Sequence, residues 1–296
     1  MSAPAPVSTS ATGSSSARPL TIAVTGATGK VGGRVAELLH DAGLRQRLLV
    51  RNPAKAPTWA DDVAVAPYGQ ADAAVRALEG ADLLFMVSAA ESADRLEQHQ
   101  TFIDAAAAAG VRHVVYTSFL AAAPDAAFTL ARTHWTTEEH LRRSGMAFTF
   151  LRDSFYADFI PDLAVDGVIA GPAGSGRVGA VARSDVARSA AAILTASAAG
   201  GDHHAGATYE LTGPEAFSLA EAAATITAVT GRPTVYRDQS LEEAYASRRS
   251  YDVPDWQLEA WVSTYTAIAT GVLATVTDDV RALTGRTPLT LAEVLR

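Results

Sequence analysis

Gly26, Gly29 and Gly32, at three-residue spacing, follow the apolar run Ile22-Ala23-Val24 and open a stretch of helix-forming residues from Val31 to Leu39. Strand, glycine turn and helix in that order make a cradle for a pyrophosphate. The first glycine permits the tight turn, the second lets the main chain approach phosphate oxygens, and the third lets helix and strand pack closely. Free N–H groups at the positive end of the new helix would hold the anion. Gly26, Thr28, Gly29, Lys30, Val31 and Gly32 are therefore candidate dinucleotide-binding residues.

The G-x-x-G-x-x-G spacing gains force from the next apolar run, Arg47–Val50, which leads into Arg51-Asn52-Pro53-Ala54-Lys55. About 20 residues past the glycines, an NAD-binding unit presents Asp or Glu to the ribose 2′-hydroxyl. Arg51 stands there instead, with Lys55 behind it. Two cations suit a 2′-phosphate, and an arginine can grip it with a bidentate fork. The reading is NADP(H), with NAD(H) as the second possibility; the bland alternative is a pair of solvated surface charges.

Further polar residues stand at the ends of later apolar runs. Ala81–Val87 runs into Ser88, Val111–Thr117 into Ser118, and Ala147–Leu151 into Arg152-Asp153-Ser154-Phe155-Tyr156. Ligands of an open parallel sheet bind beyond the carboxyl ends of its strands. Ser88 and Ser118 are thus candidate cofactor contacts, although strand-ending turns carry serine for simpler reasons. Tyr156 is a candidate catalytic residue or substrate wall, or else interdomain core. His134 has Glu138 at i+4 on the same helix face. Its titration range suits a proton donor. Holding the helix or the cofactor ribose is the structural alternative.

The elements that must position these residues alternate strictly. Strands at Val63–Ala66 and the runs just named are separated by helices at Ala71–Leu78, Asp94–Ala109 and Thr133–Ser144. That pattern predicts an α/β fold, a doubly wound parallel sheet with helices on both faces. After Arg152 the pattern changes. An aromatic, irregular stretch (Asp153–Ile169) and a glycine-rich loop (Gly171–Gly179) precede a helix at Ser184–Ala199 and a short strand at Tyr209–Leu211. Ser218, with Glu221 three residues on, caps a helix to Gly231. Val235-Tyr236 reads as an edge strand, and Leu241–Arg296 as mostly helical. The expected division is a disordered tail (1–18), a dinucleotide-binding domain (19–155) and a smaller mixed C-terminal substrate domain (156–296). Some elements of the last return to the main sheet.

Composition narrows the function classes. The 296 residues carry a net charge of −8 with no basic stripe, which argues against direct nucleic-acid binding. The absence of cysteine excludes disulfides, thiolate metal sites and a cysteine nucleophile, and fits a cytoplasmic protein. No metal site is expected. No apolar run is long enough to span a bilayer. Met1–Ala17, rich in Ser, Ala, Pro and Thr, lacks the basic start and apolar core of a secretion signal. Alanine-rich helix faces would allow a homodimer.

VTGATGKVGG, the VRNPAK turn, EQHQTFIDAAAAAGVRHVVYTS, His134 with Glu138, and FTFLRDSFY together resemble the NmrA-like atypical short-chain dehydrogenases. Within that group the chain is similar to bacterial NADPH:quinone oxidoreductases, and YELTGPEAFSLAE and TPLTLAEVL extend the likeness from about Pro19 to the C-terminus. The resemblance implies a Rossmann domain with a small C-terminal domain, NADPH binding, and hydride delivery to a quinone-like acceptor. Short-chain dehydrogenases place a Tyr-x-x-x-Lys pair on the helix of His134. The corresponding positions here are Leu130 and His134, so that proton relay is missing. Two further departures are Pro67, where the family often has Asp near the adenine, and Arg152-Asp153 in place of Arg-Asn. The second changes the site, because a carboxylate cannot donate as an amide does.

The leading expectation is an NADPH-dependent oxidoreductase for quinones or similar flat conjugated carbonyls. Two alternatives remain: a non-catalytic, dinucleotide-sensing regulator of the NmrA kind, and a tailoring enzyme acting on an aromatic polyketide. Phe155, Tyr156, Phe159, Trp256 and Trp261 would suit a flat ligand, and would equally suit an interdomain core.

Overall fold

Ile22 and Val24 pack toward one face of a sheet and Ala23 toward the other. That period-two alternation of apolar side chains marks a strand covered on both sides. The computed structural model describes residues 20–296, and the expected tail, 1–18, lies outside them. The first half contains β1 (Ile22–Thr25), α1 (Lys30–Asp41), β2 (Gln46–Val50), β3 (Val63–Val65), α2 (Ala71–Leu78) and β4 (Leu83–Met86). It continues with α3 (Arg95–Ala108), β5 (His113–Phe119), α4 (Thr129–Arg143) and β6 (Ala147–Asp153).

The second half is more irregular, as its sequence suggests. A 3-10 segment (Ala157–Leu163) leads into β7 (Ala164–Val165), β8 (Val168–Gly171), β9 (Arg177–Val178) and α5 (Arg183–Ala198). Next come β10 (Thr208–Leu211), β11 (Phe217–Ser218), α6 (Leu219–Thr230) and β12 (Val235–Asp238). Four helices end the chain: α7 (Leu241–Arg248), α8 (Asp255–Ala269), α9 (Asp279–Thr284) and α10 (Leu291–Val294). Among the described residues, no helix is long and apolar enough to cross a membrane.

The main sheet has seven strands in the order β10-β6-β5-β4-β1-β2-β3, every pairing parallel. Val35 and Leu39 of α1 and Ile193 and Leu194 of α5 cover one face against Ile22, Phe85 and Val115. Leu78, Phe102, Ile103 and Leu141 of α2, α3 and α4 cover the other against Leu84, Tyr116 and Phe150. The second half thus gives α5 and β10 to the first half's sheet, and Val280 of α9 joins the same core. The remaining elements form a second lobe with its own core, which includes Ile169, Val178, Leu219, Ile226 and Ile268. Its three-stranded sheet runs β12-β8-β7, with β12 at the edge. Ser218 caps α6 as its spacing predicts: its hydroxyl accepts from the Glu221 N–H while the Glu221 carboxylate accepts from the Ser218 N–H.

Two strand ends lie further along the chain than their sequence suggests. The apolar runs stop the fifth and sixth strands at Thr117 and Leu151, yet the ladder continues through Ser118↔Arg152 and Phe119↔Asp153. The polar residues stay inside the sheet because α4 places a carboxylate above them. Tight packing also fixes the first helix: a Cβ on Gly32 would lie 2.4 Å from the Gly26 carbonyl oxygen and 2.5 Å from that of Thr25. Main chain cannot yield as a side chain can. Gly32→Ala is expected to lower the unfolding free energy by about 1–3 kcal/mol, checked by urea denaturation.

Candidate active site

Strand order reverses between β1 and β4, which opens a crevice beyond their carboxyl ends. Gly26 turns there with φ +60°, a conformation that L side chains rarely adopt, and its carbonyl accepts from the Gly29 N–H at 2.8 Å. α1 then starts at Lys30 with no side-chain cap and no acidic residue in its first turn. The N–H groups of Lys30, Val31 and Gly32 have no acceptor within the helix, so an anion would satisfy them. Thr28, Gly29 and Lys30 are exposed around this turn, whereas Val31 packs its side chain into the core. Only the main chain of Val31 can serve a ligand. Thr25 ties the crevice together: its hydroxyl accepts from the Val87 N–H at 2.8 Å and donates to the Phe85 carbonyl at 3.2 Å.

The register Thr25↔Leu49 carries β2 out beside the glycine turn, with Arg51 two residues beyond that pair. Asn52 fixes the Pro53–Lys55 turn, its side-chain oxygen accepting from the Ala54 N–H at 3.0 Å. Arg51 and Lys55 are both exposed there. Main-chain donors, a helix too close for a Cβ, and two flanking cations form a donor set that fits a phosphorylated dinucleotide.

A cavity of about 870 Å³ lies at the carboxyl ends of β4, β5 and β6. Ser88, Ser118, His134 and Tyr156, four of the residues singled out by sequence, all line it. The structure therefore brings these four together beside the crevice, while Gly26–Gly32, Arg51 and Lys55 gather at the glycine turn. Phe119, Phe128 and Phe155 form one wall, with mutual ring separations of 4.7, 5.0 and 5.1 Å. Tyr251 and Trp261 meet edge to face on the second lobe. Phe155, Tyr156, Phe159 and Trp261 of the expected aromatic set line the cavity, and Trp256 is not among its lining residues.

Buried polar groups fix its floor. Arg95, 5% exposed, donates to the Ala89 carbonyl (2.9 Å), to Thr133 Oγ1 (2.7 Å) and to His134 Nε2 (2.9 Å). A guanidinium only donates, so Nε2 is an acceptor and the ring proton sits on Nδ1, 3.0 Å from the Tyr116 hydroxyl. Burial, then Arg95 and His99, holds His134 well below the usual histidine range. This neutral imidazole has both nitrogens engaged inside the protein, which is why proton donation, the expected catalytic part, does not suit it. His99 is fixed likewise. Its Nε2 accepts from the Ala89 N–H at 2.8 Å, and its Nδ1 faces Thr137 Oγ1 at 2.9 Å. The N–H and the carbonyl of Ala89 are thereby both claimed, and the loop after β4 is pinned to α3.

Glu138 is completely buried. It accepts from Ser118 Oγ at 2.6 Å and from Arg152 through Nε at 2.8 Å and Nη2 at 2.7 Å. The Ser118 hydroxyl proton is committed to this carboxylate. The hydrogen bond to Glu138, ahead of the opposing effect of burial, raises the Arg152 pKa. Asp153 next door is 2% exposed and lines the cavity. Its Oδ2 accepts from the Tyr156 hydroxyl at 3.0 Å. Burial holds the Asp153 carboxyl well above the usual carboxylate range and pushes the Tyr156 phenol up likewise. The Arg183 guanidinium lies 4.8 Å over the Tyr156 ring.

Arg95 and Arg183 did not stand out by type or motif, and His99 and Tyr116 were read only as part of a shared motif, with no role of their own. One signal was present: Arg95 and His99 precede Phe102, Ile103 and Ala106 at helical spacing, so two polar residues sit on the buried stripe of α3.

Residues 26–197 match a family described as NAD(P)H-binding. The chain belongs to that family. It is 35% identical to quinone oxidoreductase 2 of Escherichia coli (strain K12), over 92% of this chain and 96% of that one. The crystal structure of that NADPH-dependent enzyme with NADPH gives a TM-score of 0.83 at 33% identity, covering 93% and 98% of the two chains. NAD(P)H azoreductase of Xenophilus azovorans is 32% identical over 92% of this chain and 96% of that one. NmrA, a negative transcriptional regulator, shares the fold, with a TM-score of 0.72 at 19% identity over 94% and 95% of the chains. The chain is an oxidoreductase that binds NAD(P)H.

Two neutral, buried imidazoles make stability depend on pH. His99 titrates near 6.5 when free and is held down to about 3 in the fold, by burial and then by Arg95. The unfolded chain binds the extra proton first, so stability is full above about pH 6.5 and falls as pH drops toward 3. Urea denaturation at a series of pH values is expected to show this loss, with a shallower slope in His99→Gln.

Proposed function

We propose that the protein is an NADPH-dependent reductase that delivers hydride to a quinone or a similar flat, conjugated acceptor. The observation that carries this reading is the adjacency of an aromatic-walled cavity to the crevice. Val87, whose N–H bonds Thr25 at the dinucleotide turn, is followed directly by Ser88, which lines the cavity. Bound NADPH supplies the hydride. The protein's part is to orient and to exclude water.

Main-chain donors of Lys30–Gly32 hold the pyrophosphate, and Arg51 and Lys55 hold the 2′-phosphate. The pinned loop at Ser88–Ala90 and the Ser118 oxygen contact the cofactor where it enters the cavity. The phenylalanine wall and Trp261 give a planar acceptor large apolar faces to stack on. Quinones are electrophilic enough to accept hydride without a strong acid on α4. His134 is then a positioning residue, which keeps α3, α4 and the Ala89 loop in register. The kinship with an azoreductase supports the same reading, because an aromatic azo compound is also flat and conjugated.

Arg51→Ala is expected to weaken NADPH binding about 10- to 100-fold and leave NADH binding nearly unchanged. Fluorescence titration of both cofactors checks this, and equal losses would remove the 2′-phosphate assignment. Turnover is read by NADPH oxidation against benzo-, naphtho- and anthraquinones. Tight NADPH binding with no turnover on any of them would overturn the quinone reading.

A further inference from the structure

Among the described residues, Asp153 is a buried carboxyl lining the cavity that makes no ion pair. Its neighbour on α4, Glu138, takes the two nitrogens of Arg152, and Arg183 covers the Tyr156 ring instead of the carboxyl. Among the described residues its only side-chain partner is the Tyr156 hydroxyl on Oδ2, and Oδ1 is buried with no partner at all. An unpaired carboxylate in such a place is costly, and the usual escape is to keep the proton. The titratable and charged groups around it come from every packed element. They are Arg95 from α3, Tyr116 from β5, His134 and Glu138 from α4, Arg152 beside it on β6, Glu210 on β10, and Tyr156, Asp158 and Arg183 beyond it. The neutral His134 ring brings no charge, and the Arg95 guanidinium directs its hydrogen bonds to Ala89, Thr133 and His134 and makes none to Asp153.

We propose that Asp153 is held as a neutral carboxylic acid and donates a hydrogen bond, then its proton, to the oxygen of the acceptor in the cavity. The proposal rests on the reductase reading. As hydride from NADPH adds to the conjugated acceptor, the electron pair it displaces collects on the acceptor oxygen. The O–H bond at Asp153 breaks as the new O–H bond forms, leaving a carboxylate that accepts from the Tyr156 hydroxyl. A solvent proton restores the acid. Overall, acceptor, NADPH and one proton give the reduced acceptor and NADP⁺. Asp153 is well placed for this because it ends β6, level with Phe119 at the end of β5, against the phenylalanine wall.

The test reads the carboxyl directly, without turnover. Infrared difference spectra of wild type against Asp153→Asn, with ¹³C-labelled aspartate, report a protonated carboxylic acid at a pH where free aspartate is ionised. Xanthone, a flat aromatic ketone, is then bound in the presence of NADP⁺. Its carbonyl stretch is expected to shift down in wild type and in Asp153→Asn, whose amide also donates, and not in Asp153→Leu. In turnover, kcat/KM of wild type falls as pH rises through the ionisation seen by infrared, whereas Asp153→Asn lacks that limb. Asp153→Leu loses about 100-fold or more. An ionised carboxylate in the infrared, or the same xanthone shift in Asp153→Leu, overturns the proposal even if quinones are reduced. Failure to reduce any quinone overturns the reductase reading without touching either spectroscopic result.

Discussion

A carboxylate with no access to water organises the carboxyl end of this sheet. Glu138 comes from α4, and its partners Ser118 and Arg152 come from adjacent strands, so one buried group ties a helix to β5 and β6 at once. Breaking such a buried pair is strongly destabilising, and Arg142 of the same helix adds a second cation at 3.3 Å from Glu138 Oε2. The geometry is strongly determined for that reason. It also explains why the ladder runs on through Ser118 and Arg152, polar positions at which a parallel strand would otherwise stop. Phe119 and Asp153, the next residues of each strand, are thereby set at the floor of the cavity.

A second buried set does the same for the neighbouring loop. Arg95 and His99 reach from α3 to both sides of Ala89, and Thr133, His134 and Thr137 of α4 complete their hydrogen bonds. These hydrogen bonds join two helices and the loop after β4 into one unit, beside the apolar core that Phe102, Ile103 and Leu141 share. Neutral imidazoles serve well here, since each offers one donor and one acceptor and carries no charge to desolvate.

The glycine turn, the alternating elements and the α6 cap were legible because each rests on local rules: a spacing, a period, a capping pair. The place of Arg51 was legible because the β2 register carries it out beside the glycine turn. Partner choice was not. Nothing in the sequence joins Arg152 to Glu138, or Arg95 to His134, because those pairs form only when the sheet brings residues 14 and 39 positions apart together. His134 and Glu138 were correctly read as sharing a helix face, yet what faces them decides their chemistry. Asp153 is the sharpest case. As a residue type it promises a carboxylate that cannot donate, while burial without a cation favours the form that can.

The position of the acid depends on the way α4 is used. Where a short-chain dehydrogenase carries tyrosine and lysine, this helix presents Leu130 to the cavity and turns His134 onto Arg95 and Tyr116. A lysine at His134 would meet the Arg95 guanidinium within hydrogen-bond distance of the present ring, two cations where burial tolerates none unpaired. The helix that holds Arg95 in place therefore has no room for the usual proton relay. In the proposal made above, the proton at the cavity comes instead from the end of β6, where burial favours the uncharged form of the Asp153 carboxyl.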